Sequence, residues 1–86
     1  MDEVKEMTLV GFYNFSSKDK TKRYYIVQAL FNETDKSNNT IKSNIINIYV
    51  NSDVYDDISQ KEIGEIINVS IKADLLNNKV YYNVVD

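Results

Sequence analysis

Apolar and β-branched residues alternate with polar ones through most of the chain, the pattern of strands with one buried face. It predicts five strands. The first covers residues 4–15, with Gly11 at the point where the inward parity becomes ambiguous, so a bulge is expected there. A turn over 16–22 leads to the second strand, 23–31. Tyr25, Val27, Ala29 and Phe31 share one side and Tyr24, Ile26, Gln28 and Leu30 the other, and Gln28 marks the latter as outward. A loop over 32–40 precedes the third strand, 41–51, which groups Ile46, Ile48 and Val50 inward and leaves Ile45, Asn47 and Tyr49 outward. The fourth, 63–74, sets Ile67, Val69, Ile71 and Ala73 against Asn68, Ser70, Lys72 and Asp74. A connection at 75–78, where Asn77 and Asn78 suit positive φ, gives the fifth strand, 80–85. Tyr25 and Tyr82 fall on inward faces, while Tyr24, Tyr49 and Tyr81 fall on outward ones. Tyr13, beyond the bulge, has no assigned face.

One segment breaks the alternation. Ser52 is suited to cap a short helix through residue 60, and Asp53, Asp56 and Asp57 lie near its N-terminus, where negative charge is favoured. Three strands, a short helix and a two-stranded hairpin is the element order of an OB-fold, a five-stranded, partly open barrel. An SH3-like barrel or an open meander with a helix competes with it. The fold class expected is therefore all-β, a five-stranded OB-like barrel with one short helix between strands 3 and 4. All 86 residues form one domain, since the length supports one modest core.

Composition narrows the chemistry. With no histidine and no cysteine, the chain lacks the usual general base, thiolate nucleophiles and the commonest zinc ligands, so no enzymatic activity, cofactor or metal is expected. Gly11 and Gly64 are the only glycines, too few for a glycine-rich phosphate loop. Asp53, Asp56, Asp57 and Glu62 match no calcium-loop spacing and read as a solvated helix face. No apolar run approaches the roughly 18 residues that span a bilayer, and the N-terminus has no apolar leader, so no membrane contact and a cytoplasmic location are expected.

Charge is uneven. Lys18, Lys20, Lys22 and Arg23 face the single acid Asp19 within residues 16–23, a local net of +3 in a chain whose total is −3. Such a loop would attract phosphate on a body that does not attract nucleic acid indiscriminately.

The run from Gly11 through Phe12, Tyr13, Asn14, Phe15, Ser16, Ser17 and Lys18, resuming at Lys22, Arg23, Tyr24 and Tyr25, resembles small helix-destabilising single-stranded-DNA-binding proteins of phages and plasmids, the gene V protein family. The ending Asn78, Lys79, Val80, Tyr81, Tyr82, Asn83, Val84, Val85 looks like that family's last hairpin. The net negative charge and the absence of glycine from the basic loop set this chain apart. With its end at Asp86, directly after the last strand, no long acidic tail is expected. The resemblance implies a DNA-binding protein that coats single-stranded DNA during replication of a phage or plasmid. Position by position it makes Lys18, Lys20, Lys22 and Arg23 the phosphate contacts and Tyr24 a stacking residue; Tyr49 and Tyr81, outward by their alternation, are the further residues expected to stack bases. The protein is expected to act as a homodimer, with a host or phage replication protein as a further partner. Ile26, Leu30 and Ile45 are the outward apolar residues available for the dimer. The alternative is an acidic protein-interaction module, such as a phage-encoded inhibitor of a host nucleic-acid enzyme.

Overall fold

The computed structural model of the chain describes residues 2–85. Five antiparallel strands, β1 (Asp2–Ser16), β2 (Arg23–Asp35), β3 (Thr40–Val50), β4 (Ile66–Asp74) and β5 (Lys79–Val84), form one curled half-barrel. A single helix, α1 (Ser52–Ser59), lies between β3 and β4. The sheet order is β3-β2-β1-β4-β5, so β1 is the central strand. Its first half pairs with β4 (Val4 opposite Ser70, Met7 opposite Ile67), and its second half pairs with β2 (Leu9 opposite Ala29, Phe15 opposite Tyr24).

The change of partner coincides with the bulge. Register slips between Leu9 and Gly11, leaving Val10 as the extra residue. Gly11 sits in close approach to Gln28: an added Cβ would meet the end of its side-chain amide, which would have to swing aside. Gln28 in turn donates from Nε2 to Asn47 Oδ1 at 3.1 Å, tying β2 to β3 across the outer face. On the other edge of β1, Leu9 N donates to Glu65 O and Gly64 N to Leu9 O, both at 2.8 Å. Gly64 takes φ +102°, a left-handed conformation that favours glycine.

The inner face forms the core. Met7, Leu9, Val27, Ala29, Ile48, Ile67 and Val69 are buried, joined by Ile58 from α1. The inward assignments on β2, β3 and β4 hold here, although Ala73, near the far end of β4, is exposed. Asn51 caps the helix, its side chain accepting from Val54 N at 2.9 Å. This corrects the expectation for Ser52, which is the first helical residue; an asparagine carbonyl reaches a donor three residues on. Tyr55 of α1 packs on Tyr25 at 5.0 Å and edge-on to Phe12 at 5.9 Å, and its hydroxyl accepts from Asn14 Nδ2. The acid-rich helix is thus seated on the inner side of the sheet.

Two boundaries differ from the alternation. β4 begins at Ile66, not 63, because Gly64 turns the chain and Ile63 is exposed. The expected loop over 32–40 is mostly strand, with Asn32 paired to Ser43 and Asp35 to Thr40 and a turn at 36–39. Residues 32–43 are exposed throughout, so this ribbon carries no apolar alternation to announce it. Ile26, expected outward and free, is 1% exposed. It lies on the outward face, opposite Tyr13 on one side and Tyr49 on the other, and rings on that face cover it.

Val69 is fully buried between β1 and β5, paired with Lys5 and Val84. Val69→Asp should therefore abolish cooperative unfolding, since an unpaired buried charge costs about 4 kcal/mol or more against a total stability of roughly 5–15 kcal/mol. The same change at exposed Asn68 should leave a cooperative melt. Thermal circular dichroism of the two variants checks the face assignment.

Candidate nucleic-acid interface

The β1–β2 loop is organised by its one acid. Asp19 Oδ1 accepts from Ser17 Oγ at 2.6 Å, Thr21 Oγ1 at 2.8 Å and Thr21 N at 3.1 Å. Ser17 also receives Lys22 N on its hydroxyl and donates its own N–H to Lys22 O. Three hydrogen bonds, the Ser17 hydroxyl foremost, lower the Asp19 pKa from 3.8 to about 2. With the carboxylate turned into the loop, Lys18, Lys20 and Lys22 are left exposed, and none of their ammonium groups has an ion-pair partner among the described residues. Lys20 sits at φ +61°, where a non-glycine residue is strained by about 1–2 kcal/mol.

Arg23 behaves differently from the three lysines. Its Nε donates to Asn14 Oδ1 and its Nη1 to Ser16 Oγ, each at 2.8 Å, and Nη2 also contacts Asn14 Oδ1. Asn14 passes the link on to Tyr55. Arg23 therefore braces the loop base from the inner side, while Tyr24, one residue on, faces out.

Beside the loop, the outer face carries a continuous row of rings across three strands. Tyr13 stacks near Phe15 with centroids 6.3 Å apart and planes at 23°. Phe15 lies 5.3 Å from Tyr24, and Tyr24 lies 6.2 Å from Tyr49, nearly edge-on. The row lies over Ile26, which is 1% exposed, while Tyr13, Phe15 and Tyr49 remain 44%, 41% and 63% exposed. Tyr24 and Tyr49, expected on this face, are brought together. Tyr81 is also outward but lies on β5, across a cleft of about 980 Å³ that Tyr49 borders from β3. Tyr13 and Phe15 are additions. Their signal was the spacing from Gly11: once Gly11 is set opposite Gln28, positions 13 and 15 must share the face of Ile26 and Tyr24.

The same construction recurs at the other two hairpins. Asp35 accepts from Ser37 N and Oγ, and Asp74 from Asn77, mainly through its side chain. Both carboxyls are held below the usual aspartate value by these bonds. Among the described residues no helix is long and apolar enough to cross a membrane, and no group of three or more acidic, histidine or cysteine residues could hold a metal ion.

Because folding lowers the Asp19 pKa, its ordering of the loop is fully present above 3.8 and lost as pH falls through about 2. The Asp19 carboxyl carbon resonance should titrate with a midpoint near 2, and Ser17→Ala should move that midpoint up towards 3.8. A wild-type midpoint at 3.8 would show that the carboxylate does not organise the loop in solution.

No family model matches the chain, and neither a curated protein nor a solved structure matches it. The functional reading of this surface therefore rests on its own chemistry.

Proposed function

We propose that the chain is a non-enzymatic single-stranded-DNA-binding protein of a phage or plasmid, with an OB-like barrel as its scaffold. The observation that carries the reading is the row of four partly exposed rings running from β1 to β3 beside a loop with three lysines that have no ion-pair partner among the described residues. Single strands are held by cations along the backbone and by aromatic faces beneath the bases, whose stacking is worth roughly 1–3 kcal/mol per base. Both ingredients are adjacent on one surface. The barrel assignment is supported by the central β1, the β3-β2-β1-β4-β5 order and the helix between β3 and β4. Asp53, Asp56 and Asp57 of α1 accompany a helix packed on the inner side through Tyr55 and Ile58, on the opposite side of the sheet from the ring row.

In this reading Lys18, Lys20 and Lys22 contact phosphates, Tyr13, Phe15, Tyr24 and Tyr49 stack bases, and Arg23 positions the loop. A coating protein of this size gains from linking two sites, because joined modules multiply avidity. Homodimerisation and a replication-protein partner belong to the same proposal.

Titration of fluorescent oligothymidine at low salt tests the reading directly. Replacing Lys18, Lys20 and Lys22 together with alanine should weaken binding strongly and reduce the log–log salt slope by about 0.7 per lost phosphate contact, with the fold intact. Tyr24→Ala should lower affinity by roughly 1–3 kcal/mol with little change in that slope. Wild-type protein that does not bind at low salt would replace this reading with the interaction-module alternative.

Lys20→Gly separates stability from binding. Relief of the positive φ should hold or raise the melting temperature, while the loss of one cation weakens oligothymidine binding. A variant that melts higher and binds as well as wild type would assign Lys20 no role in binding.

A further inference from the structure

β3 and β5 end the sheet and lie alongside each other without a hydrogen-bonded ladder between them. The cleft at this seam, about 980 Å³, is at the upper end of small-molecule sites. We propose that it seats one unstacked nucleobase, with its sugar, of the same strand that lies along the ring row. This assignment rests on single-strand binding at the row.

Four observations favour a nucleotide as occupant. Tyr49 belongs to both features, ending the row at 6.2 Å from Tyr24 and lining the cleft, so a strand leaving the row meets the cleft without a gap. Tyr81 lines the cleft from β5 and is 45% exposed, so a base entering there finds an aromatic ring on each strand. Hydrogen-bonding capacity is in place: Asn47 uses Oδ1 to accept from Gln28, leaving its Nδ2 open, and the Asn83 side chain has no partner among the described residues. Amides offering both donors and acceptors suit a base edge. Leu75 and Leu76, 91% and 98% exposed at the adjoining hairpin tip, supply apolar cover for an inserted base.

Binding of fluorescent oligothymidines carrying one abasic residue, moved position by position, tests the assignment in wild type, Tyr81→Ala, Asn83→Ala and Tyr24→Ala. Tyr81 and Asn83 are outside the core, and a melting curve for each variant shows that it folds. In wild type, one abasic position beyond those that depend on Tyr24 should weaken binding by about 5- to 100-fold. Tyr81→Ala should weaken the intact oligonucleotide by a similar factor and become insensitive to that one position. Asn83→Ala should reduce the same sensitivity, and Tyr24→Ala should keep it. If wild type binds but every abasic position weakens Tyr81→Ala as much as wild type, the cleft is off the strand's path and the proposal fails while the ring row stands. An unchanged abasic profile with loss of self-association in Leu76→Ser would assign the cleft to a second copy of the chain and likewise overturn it. A wild-type protein that binds no oligothymidine removes the underlying reading together with this one.

Discussion

A single strand that must change partners governs this fold. β1 is paired to β4 as far as Thr8 and to β2 from Thr8 onward, so the two halves of the sheet are joined through the backbone around Leu9. The bulge at Val10 accommodates the change, and the hydrogen bonds between Leu9 and the 64–65 segment secure its far edge. A bulge bends its strand and increases local twist, which turns a flat meander into a curled half-barrel. Gly11 fits the same place: the end of the Gln28 side chain occupies the space where a Cβ at 11 would stand, and would have to move for one.

The slip at the bulge also sets the outer face. It places Tyr13 and Phe15 opposite Ile26 and Tyr24, and the β2–β3 register then adds Tyr49. Without the extra residue those two rings would point into the core and Phe12 would point out. A local backbone irregularity therefore decides whether Tyr13 and Phe15 join Tyr24 and Tyr49 on the outer face.

Charge is managed by geometry rather than by composition. Asp19, Asp35 and Asp74 each serve as acceptors for backbone or side-chain donors within their own hairpin turn, and each turn holds a residue at positive φ, Lys20, Asn39 and Asn78. Asparagine tolerates that conformation through local hydrogen bonding; lysine does so here at a cost. Asp53, Asp56 and Asp57 travel with α1, whose Tyr55 and Ile58 anchor it to the inner side of the sheet. An acidic chain thereby keeps a cationic loop next to its exposed rings.

Alternation alone determined the five strands, the helix between the third and fourth, and the inward residues of β2 to β4, because burial of one face imposes a period of two wherever the strand borders the core. It also placed Tyr24, Tyr49 and Tyr81 outward and Tyr25 and Tyr82 inward. It assigned residues 32–40 to a loop, whereas most of them belong to a ribbon over 32–43 that is exposed on both faces and has no core to impose a period. It missed Asn51 as the cap because asparagine and serine can both supply the oxygen, and only the backbone angles choose between adjacent candidates. The faces of Tyr13 and Phe15, the burial of Ile26, the inward bracing by Arg23 and the cleft between β3 and β5 were decided by the tertiary structure. Each depends on which residues of one strand stand opposite another, and cross-strand register is a relation between distant segments that no local pattern contains.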